Sequence, residues 1–190
     1  IKLLFACSLT TVGIVLLVIN LYGLNNDIRP ANLSNAPMRF ENDLTIDFTN
    51  VLRELNQRTN EANHEYEIRV TTVIAGALAH IKWDKEIDTS KYHQLIPIWE
   101  NYFLYFMGIY SGIPEYEKYH YADYKRSLKR GIGICGDASM IMSQVLNQVG
   151  IDNKIIAFPG HVIISAQVNE GSNLLFDPDF GVVMPVDLGN

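Results

Sequence analysis

Cys135 is the residue best able to do covalent chemistry. It follows Gly131 and Gly133, precedes Gly136, and stands just ahead of a helical pattern running from Ala138 to Val149. The thiolate is the reactive form of cysteine, and an unperturbed thiol has a pKa of about 8.5. Free N–H groups and the partial positive charge at a helix N-terminus lower that value. The same N–H groups can hold the oxyanion formed when sulfur attacks a carbonyl. Small neighbours such as Gly133 and Gly136 let a substrate backbone approach closely. Asp137, in the first turn, favours the helix and works mildly against the thiolate. A nucleophilic thiol also needs a base, and the base an orienting group. His161, after the Pro159-Gly160 turn, and Asp177, at the end of a later strand, are the right residue types. On chemistry alone a lone cysteine is more often a small buried apolar side chain, and a histidine opening a strand is more often structural.

The elements that must position these groups read as helices first and strands last. Leu44 to Gln57 places Phe48, Val51, Leu52 and Leu55 at helical spacing. Tyr66 to Trp83 is apolar and favours helix through Ala75, Ala77 and Ala79. Pro97 to Tyr110 reads as an aromatic helix with Pro97 in its first turn, and Tyr116 to Arg130 as a basic, tyrosine-rich one. In the Ala138 to Val149 helix, Met142, Val145, Leu146 and Val149 face inward, and Gly150 stops it. Lys154 to Phe158, His161 to Val168 and Asn173 to Phe176 are strands, the second alternating Val162, Ile164, Ala166 and Val168 against His161, Ile163, Ser165 and Gln167. This order predicts an α+β domain.

The stretch Gly133-Ile-Cys135-Gly-Asp-Ala-Ser139, a helix ending at Gly150, then Gly160-His161-Val162 and Phe176-Asp177-Pro178, resembles the core of the transglutaminase-like superfamily. The resemblance covers residues 120–181. It implies a papain-like arrangement, a helical N-terminal half with a small antiparallel sheet packed on the nucleophile helix. It implies Cys135 as nucleophile, His161 as general base and acid, and Asp177 as the group holding the imidazole. The expected activity is acyl transfer through a thioester, chiefly peptidase or amidase hydrolysis of a peptide or protein amide, with no cofactor and no metal. Transglutaminase-type transfer to an amine, and a binding module of the same fold without turnover, are the alternatives.

Two points stay open in the sequence. If Val168 pairs with Asn173, period-two alternation puts His161 and Asp177 on opposite faces. A bulge or looser turn must then correct the register, or Asp179 must take the role. Papain-like sites also recruit a side-chain amide for the oxyanion, for which Asn101 and Gln94 are candidates.

The chain has 190 residues and a formal net charge of −6, a size that suits one domain after an N-terminal segment. That charge gives no ground for a general nucleic-acid binder, and Lys118, Lys125, Arg126, Lys129 and Arg130 read as a solvated helix face. Leu3 to Asn26 carries no charge. About 20 apolar residues cross a bilayer as a helix, so residues 1–24 read as a single-pass anchor rather than a signal peptide. Residues 25–40 follow as a linker, and 41–190 as the domain, placed outside the cytoplasm by a weak charge bias. Gly131-x-Gly133-x-x-Gly136 lacks the preceding strand of a dinucleotide fingerprint. Asp179-Phe180-Gly181 lacks every other kinase motif, and the histidines have no zinc-ligand spacing. Asp177 and Asp179 together read more readily as a solvated pair than as a metal site.

Overall fold

The structure is a computed structural model and describes residues 2–81, 97–113, 121–169 and 172–184. Trp83, Gln94 and the beginning of the expected Tyr116–Arg130 helix lie outside the described residues. The chain is α+β, with six α-helices among the described residues and one four-stranded antiparallel sheet.

The described residues fall into two compact units. The first takes in residues 2–30 and 97–113. Its α1 (Lys2–Leu24) is 23 residues long with no buried side chain. At 1.5 Å per residue it spans roughly 34 Å, long and apolar enough to cross a membrane. Its α4 (Tyr102–Tyr110) also buries none of its side chains. Trp99 packs edge-on to Tyr22, ring centroids 5.9 Å apart. The aromatic helix expected inside the domain thus groups with the apolar N-terminal helix, and it starts at the Asn101 cap rather than at Pro97.

The second unit takes in residues 31–81, 121–169 and 172–184. Its helices are α2 (Phe48–Glu54), α3 (Asn63–Ala75), α5 (Tyr124–Arg130) and α6 (Cys135–Gln148). Asp47 caps α2 by accepting the Asn50 N–H at 3.0 Å, and α3 ends at Gly76, short of the expected Trp83. Asp123 caps α5 through the N–H groups of Lys125 and Arg126. Gly131, at φ 72°, terminates it in a left-handed conformation that suits glycine. Ala138, Ile141, Met142, Val145 and Leu146 recur at helical spacing and bury one face of α6.

That face meets the sheet and α3, in a core that also holds Tyr66, Val70, Ile74, Leu78, Ile164 and Phe176. Strands β1 (Asn153–Phe158), β2 (His161–Asn169), β3 (Ser172–Asp177) and β4 (Val182–Met184) run in chain order. Phe158 pairs with His161 across the Pro159-Gly160 turn, where Gly160 sits at φ 81°. In β2–β3, Asn169 pairs with Ser172 but Gln167 pairs with Asn173, so one extra residue interrupts the ladder at Val168. Beyond that bulge Ile164 faces Phe176 rather than Asp177. This is the correction the alternation demanded. Strand β4 was not anticipated.

Candidate active site

Cys135 is the first residue of α6, after an N-cap at Ile134. Two contacts fix the approach to it. Gly131 and Gly133 straddle Ala79: the Ala79 N–H donates to the Gly131 carbonyl at 2.8 Å, and the Gly133 N–H donates to the Ala79 carbonyl at 3.3 Å. The Asp137 carboxylate accepts the Ile134 N–H at 3.1 Å, one half of a capping box. A β-carbon on Gly133 would come within 2.9 Å of Leu78 and 3.0 Å of Asp137. Gly133 is therefore a packing residue, buried rather than turned toward a substrate. Gly136 opens onto space, with nothing within 4 Å of its would-be β-carbon.

The sheet brings the imidazole. The Ser139 hydroxyl donates to the Val162 carbonyl at 3.0 Å, tying α6 to the start of β2. His161 Nε2 lies 2.6 Å from Asp177 Oδ2. A carboxylate only accepts, so Nε2 carries the proton and Nδ1 is left as the acceptor. The other Asp177 oxygen accepts the N–H groups of Asp179, at 3.1 Å, and Phe180, at 3.3 Å. One carboxylate thus closes the turn after β3 and holds the imidazole. Cys135 Sγ lies within 4.8 Å of a His161 ring nitrogen and of an Asp179 carboxylate oxygen. Phe180 packs on the His161 ring at 5.5 Å.

Partial burial is the largest influence on the Cys135 thiol and pushes its pKa up. The backbone N–H groups of Val162 and Gly136 pull the other way, and the carboxylates of Asp179 and Asp177 add to the rise. The net direction is upward, opposite to the sequence expectation. The helix tip acts as anticipated, but the acidic surroundings and the loss of water outweigh it. Burial and the neighbouring acids therefore favour the thiol form, and the helix tip alone does not overcome them.

Sequence reasoning missed the layer behind the site. His80 is 2% exposed and bridges two acids, Nδ1 to Asp43 Oδ1 at 2.7 Å and Nε2 to Asp179 Oδ1 at 2.8 Å. Its backbone N–H donates to Asp43 as well, at 2.8 Å. Both ring nitrogens face acceptors, the arrangement of an imidazolium. Burial disfavours that charge, yet the hydrogen bonds to Asp179 and Asp43 outweigh burial and the pKa is raised. Asp179, the alternative orienting residue, is thus bound to His80 while Asp177 holds His161. No local spacing signals a bond between residues 80 and 179.

Asn101 belongs to the first unit, where its side chain caps α4 by accepting the Leu104 N–H at 3.0 Å. Gln94 lies outside the described residues. No known protein family, curated protein or solved structure matches the chain.

Proposed function

We propose that the second unit is a cysteine enzyme that transfers acyl groups through a Cys135 thioester, with hydrolysis of a peptide or protein amide as the main reaction. The observation that carries this reading is the joint geometry of Cys135, His161 and Asp177: sulfur within 4.8 Å of the imidazole, and the imidazole 2.6 Å from its orienting carboxylate. Nucleophile, base and orienting group in sequence are the requirements of thiol catalysis. Their order along the chain also fits the transglutaminase-like, papain-like arrangement that the sequence resembles.

In this mechanism His161 Nδ1 takes the thiol proton as the sulfur attacks the substrate carbonyl, forming a C–S bond and a tetrahedral oxyanion. Backbone N–H groups at Cys135 and Gly136 stabilise that oxyanion. Collapse breaks the C–N bond, and the amine leaves with the proton from His161. Water, deprotonated by His161, then cleaves the thioester and restores the thiol. An amine in place of water would give transfer instead. α1 would hold the enzyme at a membrane.

The raised thiol pKa favours a second reading, a membrane-held binding module without turnover. An activated acyl ester separates the two. The enzyme forms an acyl adduct on Cys135, visible by intact mass, that turns over in the parent and fails to form in His161→Ala. A parent chain that never acylates contradicts the enzyme reading.

A further inference from the structure

Three donor atoms converge in the site from positions far apart in the chain. Cys135 Sγ, a His161 ring nitrogen and an Asp179 carboxylate oxygen all lie within 4.8 Å of one another. We propose that these three side chains bind a thiophilic divalent cation, zinc being the type case, and that the cation reversibly silences the thiol.

Thiolate, imidazole and carboxylate are the three ordinary zinc ligands, with bonds of about 2.0–2.3 Å that set tetrahedral donors about 3.5 Å apart. The observed trio, within 4.8 Å of one another, has to close by about 1 Å to reach that spacing. The outer contacts that orient zinc ligands are already in place. A zinc-bound histidine characteristically donates its other N–H to a carboxylate, as His161 does to Asp177 at 2.6 Å. Asp179 is pinned through Oδ1 to the buried His80, which leaves its second oxygen to offer a metal. Asp179 is 5% exposed, so it is not one of the solvated surface acids that cluster without consequence. Cys135 and His161 are half-buried, which gives an ion and a fourth, water ligand a way in.

Charge points the same way. One thiolate and one carboxylate neutralise a dication, and Asp177, bonded to His161 behind the site, adds further negative charge. Calcium and magnesium are excluded by donor type, since they require six or more oxygen ligands. Binding releases the thiol proton and occupies both the sulfur and the His161 nitrogen, so nucleophile and base are lost together. The site stands on geometry and holds whether or not the protein turns over a substrate.

The test uses the full chain in detergent with Cys7→Ser, so that Cys135 is the sole thiol. After EDTA treatment, alkylation of Cys135 by iodoacetamide is timed with and without zinc chloride, and bound zinc is counted by equilibrium dialysis. One zinc per chain is expected, with labelling slowed at least tenfold, restored by EDTA and unaffected by magnesium or calcium. Asp179→Asn, nearly isosteric and able to keep a hydrogen bond to His80, is expected to weaken zinc at least tenfold. No protection at a large molar excess of zinc overturns the site, as does unchanged zinc affinity in Asp179→Asn with the parent's melting temperature. Should Asp179→Asn fail to fold, cobalt(II) on the parent decides. A thiolate-to-cobalt absorption that alkylation abolishes supports the site, and its absence overturns it. Fast, His161-dependent labelling in EDTA with no zinc effect removes this site and leaves the thiol enzyme standing. Zinc bound to a slow, His161-indifferent thiol does the reverse.

Discussion

His161 and Asp177 meet at 2.6 Å because strand β2 carries one residue too many near its far end. With a regular ladder from the Asn169–Ser172 pair, the two side chains would emerge from opposite faces. The bulge at Val168 moves the register by one, and Asp177 falls on the His161 face. A structural irregularity several residues away thus sets the tautomer of the His161 imidazole.

That relationship makes Asp177→Asn a sharp variant. The amide preserves size but can present its NH2 to Nε2, which releases the Nε2–H tautomer and removes the charge that stabilises the imidazolium. Turnover of an activated acyl ester should fall by about a thousandfold or more, while the melting temperature falls modestly through weakened hydrogen bonds to the Asp179 and Phe180 N–H groups. Steady-state rates and a thermal melt on one preparation check both.

Asp179 should act on the thiol in the opposite sense. Its negative charge raises the Cys135 pKa, so Asp179→Asn, in EDTA, should lower that pKa and speed iodoacetamide labelling near pH 7 several-fold. A rate-against-pH curve displaced to lower pH is the expected signature; an unmoved curve assigns the raised thiol to burial and Asp177 instead.

His80 is the keystone of the layer behind the site. Removing it leaves Asp43 and Asp179 as buried carboxylates without a counter-charge, so His80→Ala should lose about 3–5 kcal/mol in denaturant unfolding. Because the folded pKa of His80 is raised, its contribution is full below its ordinary value near 6.5 and is lost as pH rises through the folded value. The loss on His80→Ala should therefore shrink at alkaline pH.

Glu67 makes a separate pH prediction. It is fully buried on α3, and among the described residues neither carboxylate oxygen has a hydrogen-bond partner. Burial raises its pKa from 4.5 to about 7. Here an acid is raised, so the folded state holds the proton more tightly than the unfolded chain. Stability is full below about pH 4.5, declines up to about pH 7 and is flat beyond. Glu67→Gln should match the parent at pH 4 and exceed it by up to about 3 kcal/mol at pH 8, as denaturant titrations at the two pH values would show.

The first unit predicts a membrane contact. Phe103 is 68% and Tyr110 78% exposed on a helix that buries nothing, and Trp99 packs against the end of α1 at Tyr22. Amphipathic aromatic rings favour the headgroup level of a bilayer. In a Trp83→Phe chain reconstituted in vesicles, Trp99 fluorescence should be quenched by lipids brominated near the headgroup. Absence of quenching would place this helix in water.

The sequence made the second half of the fold legible because its signals are local. The Pro159-Gly160 turn and the alternation in β2 place their strands within one residue of the observed bounds, while the 3–4 spacing from Ala138 to Leu146 finds its helix but starts it three residues late, at Ala138 rather than Cys135. The same locality explains the three chemical residues, each of which punctuates an element: Cys135 a helix start, His161 and Asp177 strand ends. What could not be read is non-local. Val168 carries no mark of a bulge, and the His80 bridge joins residues 43, 80 and 179 from three segments. Gly133 looked like an opening for substrate, but only packing reveals that Leu78 fills the space. The thiol pKa went astray for a related reason: the helix tip is visible in sequence, whereas burial and the nearness of Asp179 are tertiary facts.

Activation of Cys135 by His161 is measured most directly by the alkylation rate of Cys135 at pH 7 in EDTA, in Cys7→Ser chains with and without His161→Ala. Labelling should be at least tenfold faster with His161 present, because the imidazole stands beside the sulfur as a proton acceptor for a thiol whose pKa is raised. Equal rates in the two chains would contradict it.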